Sequence, residues 1–179
     1  NAQMWATIVI GITNVLSTFI AIALVDRWGR RPILITGFMI MAASMLTIAA
    51  CISMHTDEGG ALAYITVGAV MVFIVGFAAS AGPLIWVLCS EIQPLKGRDF
   101  GITCSTASNW ISNAIITTVF PLVLGAIGHT ATFVLLGAFN FAFIFFTMMY
   151  VPETKGISLE GIEKNLMAGK KLRNLGDAS

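Results

Sequence analysis

Residues 26–54 read DRWGRRPILITGFMIMAASMLTIAACISM, a basic loop followed by an apolar run that carries no charge after Arg31. A helix needs roughly 20 predominantly apolar residues to cross the hydrocarbon core of a bilayer. Water is absent there, so the backbone must satisfy its own hydrogen bonds, and such a run is expected to be helical. The stretch therefore predicts a membrane-spanning helix from Ile33 to Met54.

Four other apolar runs flank this one. We predict five spans in all, at Met4–Val25, Ile33–Met54, Ala61–Cys89, Ile102–Ile127 and Thr132–Val151. Charged residues make up only 11% of the chain, whereas soluble domains carry about 25%. We therefore expect an all-α membrane protein with a five-helix portion at 1–151 and a cytoplasmic tail at 152–179.

The tail itself carries the signals of a short surface helix. Ser158 is expected to be its N-cap, and Leu159, Ile162 and Leu166 give it one apolar face. Because its other face is charged, we interpret it as an amphipathic helix outside the membrane rather than a sixth span.

The distribution of basic residues predicts the orientation. All ten Lys and Arg lie between spans one and two, between spans three and four, or after span five. Cytoplasmic loops carry an excess of Lys and Arg, so the chain is expected to start outside and to end in the cytoplasm. An odd number of spans that begins outside also predicts at least one earlier helix.

Span four differs from the others in its polarity. Ser105, Asn109, Asn113 and Thr117 recur every four residues and form a stripe on one helical face. The stripe is either hydrogen-bonding contact between helices or the wall of a polar cavity. Uncharged donors and acceptors suit a neutral, hydroxyl-rich solute better than an ion. Asn14, near the middle of span one, is a second candidate for this wall.

Span three is too long to cross a bilayer as a straight helix. Gly82 and Pro83 predict a break, since Pro removes a backbone donor and clashes with the preceding turn. Trp86 follows one turn later. It is either an interfacial anchor or a surface on which the apolar face of a ligand stacks.

Spans two and five are apolar nearly all round. Because they offer no polar face, we expect them to face lipid and to brace the other helices.

Two carboxylates are expected at the C-terminal ends of spans, where the helix dipole disfavours them. Asp26 ends span one and Glu91 ends span three, so each requires a cationic partner. Arg30 and Arg31 lie near Asp26, and Arg98 lies near Glu91. These groups are either solvated loop charges or salt bridges that form in one conformation and break in another, as in a gate.

The sequence offers no catalytic constellation. We find no nucleophile beside a base, no metal cluster and no phosphate-binding loop, and the three cysteines are far apart. The net charge of +1 gives no basic surface for nucleic acid. We therefore expect no enzyme, no metal, no cofactor and no nucleic-acid partner.

Four motifs occur in order along the chain: DRWGRR at 26–31, GPLIW at 82–86, SE at 90–91 with GR at 97–98, and PETKG at 152–156. Together they resemble the sugar porter family of the major facilitator superfamily. The stretch from Trp86 to Ser105 resembles in particular the bacterial symporters that couple galactose or arabinose to protons.

The resemblance implies that these spans are family helices eight to twelve, in the C-terminal portion of the fold. It implies that Trp86, Gly82, Asn109 and Asn14 line a sugar site. It further implies a cytoplasmic gate network, whose members are Asp26, Arg30, Arg31, Glu91, Arg98 and Glu153.

On this basis we expect a secondary transporter of the bacterial inner membrane that imports a monosaccharide with a proton by alternating access. Its partners would be the sugar, the proton, the lipid bilayer and the earlier helices of the same protein. Two alternatives stay open: a facilitative uniporter of the same fold, and a membrane sugar sensor that does not transport.

Overall fold

The structure is a computed structural model that describes residues 2–54, 60–94 and 96–176, without the side chains of residues 2, 3, 6 and 26. The described residues form helices joined by short connections. The helices are α1 Ala2–Trp28, α2 Arg30–Ser53, α3 Gly60–Ala78, α4 Ala81–Ile92, α5 Arg98–Ile127, α6 His129–Tyr150, α7 Leu159–Met167 and a closing 3₁₀ turn at Leu172–Asn174.

Five helical segments of the described chain are long and apolar enough to cross a membrane. They are α1, α2, the α3–α4 pair over Gly60–Ile92, α5 and α6. The five predicted spans are therefore confirmed, and the chain is a multi-pass membrane protein.

The third span is interrupted at Ala79 and Ser80, between α3 and α4. Ser80 has a non-helical backbone (φ −138°, ψ −92°), and its hydroxyl donates to the Gly76 carbonyl at 2.5 Å. Gly82 and Pro83 lie just after the break, in the first turn of α4. Because the ring of a proline clashes with the carbonyl four residues earlier, Pro83 disturbs the helix at Ala79 rather than at its own position.

The centre of the fold is α2, which packs most extensively against α6 and then against α3. Its glycine makes a close approach possible: a Cβ on Gly37 would lie 1.8 Å from the Ser80 hydroxyl. A Cβ on Gly137 of α6 would similarly lie 3.2 Å from Leu46. The prediction that α2 braces the other helices is confirmed by this packing. Its predicted exposure to lipid is only partly right, because 44% of its most apolar window is buried while side chains such as Met39 are exposed.

The opposite case is α5, which has no buried residue along its whole described length. Within the described chain its main contacts are with α6 and α4, and both are small.

The tail folds back on the helical bundle. Ser158 caps α7 as predicted, since its hydroxyl accepts from the Gly161 amide at 3.2 Å. Helix α7 packs against α4, and the closing 3₁₀ turn packs against α6. Ile162 and Leu175 are buried by this packing.

Candidate functional site

Arg30, Arg31, Glu91, Glu153 and Thr154 meet at one end of the bundle, and we call them the end cluster. The N terminus of α2 has no capping side chain of its own, because Gly29 precedes it at φ 92°. The carboxylate of Glu153 fills this place and accepts from the backbone amides of Arg30 and Arg31, at 3.0 Å each. A negative group on the exposed amides of a helix N terminus is stabilised by both hydrogen bonding and the helix dipole. Glu153 is thus a cap for α2 that comes from beyond the last span.

Glu91 lies in the last turn of α4, where the helix dipole disfavours a carboxylate. Two hydrogen-bonding partners of the Glu91 carboxylate offset this unfavourable interaction. Arg30 Nη2 donates to Glu91 Oε1 at 2.9 Å, and the Thr154 hydroxyl donates to Oε2 at 2.5 Å. Both side chains of the ion pair are mostly shielded from solvent, with 14% and 16% exposed. The pair is therefore less screened than a surface salt bridge.

Further contacts fasten the same elements. The Arg31 guanidinium donates to the Met148 carbonyl near the end of α6. Lys155 Nζ donates to the Arg27 carbonyl at 2.5 Å. The end cluster thus ties together the α1–α2 connection, the end of α4 and the segment after α6.

Arg98 was expected to pair with Glu91, and here the structure differs. Glu91 is occupied by Arg30 and Thr154, whereas Arg98 makes no ion pair with either glutamate within the described residues. Its Nε is buried without a hydrogen-bond partner in that part of the chain. The side chain of Asp26 lies outside the described residues.

Gly82 and Trp86 are four residues apart in α4 and so share a helical face. Trp86 is 44% exposed. A Cβ on Gly82 would lie 3.3 Å from the Phe77 carbonyl, across the break. The small residue lets the start of α4 sit against the end of α3.

The polar stripe of α5 is exposed from Asn109 onward, and Ser105 at its start is half-buried. Asn109 and Asn113 are exposed, whereas the Ser105 hydroxyl donates within its own helix to Gly101 at 3.0 Å. Asn14 is likewise exposed on α1. Among the described residues, no hydrogen bond joins the side chains of Asn14, Trp86 and Asn109 to one another.

The sequence did not predict the roles that Thr154 and Glu153 have in the end cluster. Thr154 is buried against Glu91, and Glu153 bonds backbone amides rather than arginine side chains. The PETKG motif at 152–156 marks this segment in the sequence, but the motif does not predict which helix end the segment will contact.

The model of the sugar (and other) transporter family matches residues 1–166. The chain belongs to this family.

Two relatives from Escherichia coli strain K12 are similar over nearly the whole chain. The galactose-proton symporter is 56% identical over 174 residues, which is 97% of this chain and 37% of that protein. The arabinose-proton symporter is 51% identical over 177 residues, with the same two coverages. The chain therefore spans little more than a third of the length of these relatives.

Solved structures agree with the fold. The inward open conformation of the xylose transporter XylE from E. coli superposes with a TM-score of 0.79 at 29% identity, over 93% of this chain and 36% of that one. The proton:xylose symporter XylE bound to 6-bromo-6-deoxy-D-glucose gives a TM-score of 0.75 at 27% identity, over 96% and 34%. The fold is accordingly that of a sugar transporter of the major facilitator superfamily.

Proposed function

We propose that the whole protein imports a monosaccharide together with a proton by alternating access. The observation that carries this proposal is the 56% identity to a galactose-proton symporter over 97% of the chain. The match covers 97% of the chain and therefore extends over the end cluster, the broken span and the polar helix α5.

In this proposal α5 supplies part of the sugar-binding surface. Asn109 offers an amide that donates and accepts at once, which suits sugar hydroxyls. Its exposure leaves that amide available to a solute or to the rest of the protein. Trp86 stacks on the apolar face of the sugar ring, Gly82 gives the ring room beside α4, and Asn14 contributes from α1.

The end cluster and Arg98 have different roles in the proposal. Arg30, Arg31, Glu91 and Glu153 hold the ends of α2 and α4 together within this chain. Arg98 lies outside the end cluster, and its Nε is buried without a hydrogen-bond partner among the described residues; it bonds the other half of the transporter when the cytoplasmic side closes. Asp26 belongs to the same network.

We place the five spans as family helices eight to twelve, in a bacterial inner membrane, with the end cluster and the C terminus in the cytoplasm. The basic residues on the cluster side of the bundle support this orientation by the positive-inside rule.

The test uses the complete protein in de-energised cells. Galactose and then arabinose are added while external pH and uptake of labelled sugar are followed together. Symport predicts alkalinisation of the medium in proportion to the sugar taken up. Uptake without a pH change would refute proton coupling, and binding without uptake would refute transport.

A second candidate is a facilitative uniporter. It is favoured by one finding, the facilitated trehalose transporter of Anopheles gambiae, which is 34% identical over 90% of this chain. The same experiment separates the two, since the uniporter equilibrates sugar without moving protons.

A further inference from the structure

We propose that the tail turn, which we define as Leu175 and Gly176, positions the Glu153 carboxylate on the N terminus of α2, and that Asn165 holds the turn in place. Asn165 and Gly176 are then positioning residues for the end cluster. This inference goes beyond the proposed function, because it concerns how the cluster is assembled and its test requires no transport.

The first observation is the contact between Gly176 and Glu153. A Cβ on Gly176 would lie 1.6 Å from the Glu153 carbonyl oxygen and 2.7 Å from its carbonyl carbon. The obstacle is backbone, which cannot rotate away as a flexible side chain can. The tail turn therefore lies in direct contact with the peptide unit of Glu153, the residue whose carboxylate caps α2.

The second observation is the anchor that holds the tail turn. Asn165 is a buried polar residue of α7, and its Nδ2 donates to the Leu175 carbonyl at 2.9 Å. Leu175 itself is 0% exposed. The bond joins two residues ten positions apart, so it closes the tail on itself.

The third observation is that the capping segment is enclosed. Pro152 and Thr154, on either side of Glu153, are both buried. The Thr154 hydroxyl holds the segment to Glu91, and the tail turn lies against the peptide unit between Glu153 and Thr154. A carboxylate that bonds two adjacent amides at 3.0 Å must be held closely, because side-chain freedom would otherwise oppose this geometry. The backbone contact with Gly176 supplies that restraint.

The experiment measures hydrogen exchange at the Arg30 and Arg31 amides by mass spectrometry, in the complete purified transporter in nanodiscs. Asn165→Asp keeps the shape of the side chain but removes the donor to Leu175. Gly176→Ala drives the tail turn away from Glu153 by a different route. Asn174→Asp is the matched control, since it makes the same chemical change on an exposed residue of the same tail.

Loss of a helix cap costs about 1 kcal/mol, so we expect exchange at the two amides to rise roughly fivefold in Asn165→Asp and in Gly176→Ala. Glu153→Ala should give a similar rise, and adding Gly176→Ala to it should change nothing more. The control should behave as wild type. Unchanged exchange at Arg30 and Arg31 in both tail variants would overturn the proposal. So would a further rise in the Glu153→Ala background, because the tail would then act independently of the carboxylate.

Discussion

Helices α2 and α5 are both apolar enough to span a membrane, yet they differ strongly in how much of each is buried within this chain. In α2, 44% of the most apolar window is buried, and in α5 none of it is. The mean hydropathy of these windows is 2.2 for α2 and 1.8 for α5. This small difference in hydropathy does not explain the difference in burial.

The difference in burial is better explained by the positions of small residues and by the pattern of polar residues on each helix. Lipid tails are as apolar as leucine, so hydrophobicity does not draw one span onto another, and close packing of small residues does. Gly37 gives α2 such a contact with Ser80. The polar stripe of α5 instead has its two amides, those of Asn109 and Asn113, exposed, as the proposed role of this face in binding sugar requires. Helix α2 therefore forms the packing centre of this portion of the fold, and α5 has its polar side chains exposed.

The largest effect is expected from a side chain that fills the close contact between α2 and the break in the third span. Gly37→Leu places a side chain where a Cβ alone would meet the Ser80 hydroxyl at 1.8 Å. Overpacking costs about 1–3 kcal/mol, and we expect the upper end because the obstacle sits at the helix break. The yield of monodisperse protein in detergent should fall sharply on size-exclusion chromatography.

Gly125→Leu on α5 is the matched control for that substitution. Among the residues that the structure describes, nothing lies within 4 Å of a Cβ at this position, so its yield should equal that of wild type. Equal losses in both variants would show that any leucine is harmful in these spans and would remove the distinction between the helices.

A smaller effect is expected from Glu91→Gln, at the end of α4. The change removes the charge that faces Arg30 at 2.9 Å while keeping an acceptor. Hydrogen bonds to charged groups contribute about 1.5–3 kcal/mol, and part of this is lost. We expect the thermal denaturation temperature to fall by several degrees. Glu160→Gln, on an exposed residue of α7, should leave it unchanged, and an equal fall in both would contradict a specific role for the ion pair.

The sequence predicted the spans well because hydropathy is a signal that does not depend on packing. It located the break near Pro83 but not at Ala79 and Ser80, since the proline acts on the turn before it. It predicted that Glu91 needs a cation, and the structure supplies Arg30, which is 61 positions away.

The remaining errors share one physical origin. A choice between Arg30 and Arg98 for Glu91, or between lipid and protein around α2, depends on which helices are neighbours. No local pattern encodes that arrangement. Sites that lie within one helix, such as the Ser158 cap, were correctly predicted because they need no such knowledge.

Asn109→Leu on α5 should affect sugar binding and not folding. Asn109 is exposed in α5, so an apolar replacement in the membrane should leave thermal stability unchanged. Loss of one hydrogen-bonding partner for a sugar hydroxyl costs about 1 kcal/mol, and we expect sugar affinity to fall several-fold in a direct binding assay. Asn140→Leu is the control, because Asn140 Nδ2 already donates to Leu136 of its own helix at 2.9 Å. Wild-type affinity in Asn109→Leu would assign that amide to contact between helices instead.

The smallest effect is expected from Trp86→Ala in α4. Trp86 is 44% exposed, so only part of its ring packs within this chain and its removal should alter stability little. A stacked pair of aromatic rings is worth about 0.5–1.5 kcal/mol beyond area burial. We expect the apolar face of a sugar to gain only the lower end of this range, which predicts a sugar affinity about twofold to threefold lower. Trp110→Ala on α5 is the matched control, because this indole is 67% exposed and lies one residue beyond Asn109 on a different face. A fall in affinity for Trp86→Ala alone would assign a face of α4 to the sugar site beside α5. Equal sugar affinities in Trp86→Ala and Trp110→Ala would show that Trp86 is an interfacial anchor. The sugar site would then include α5 but not Trp86 of the broken span.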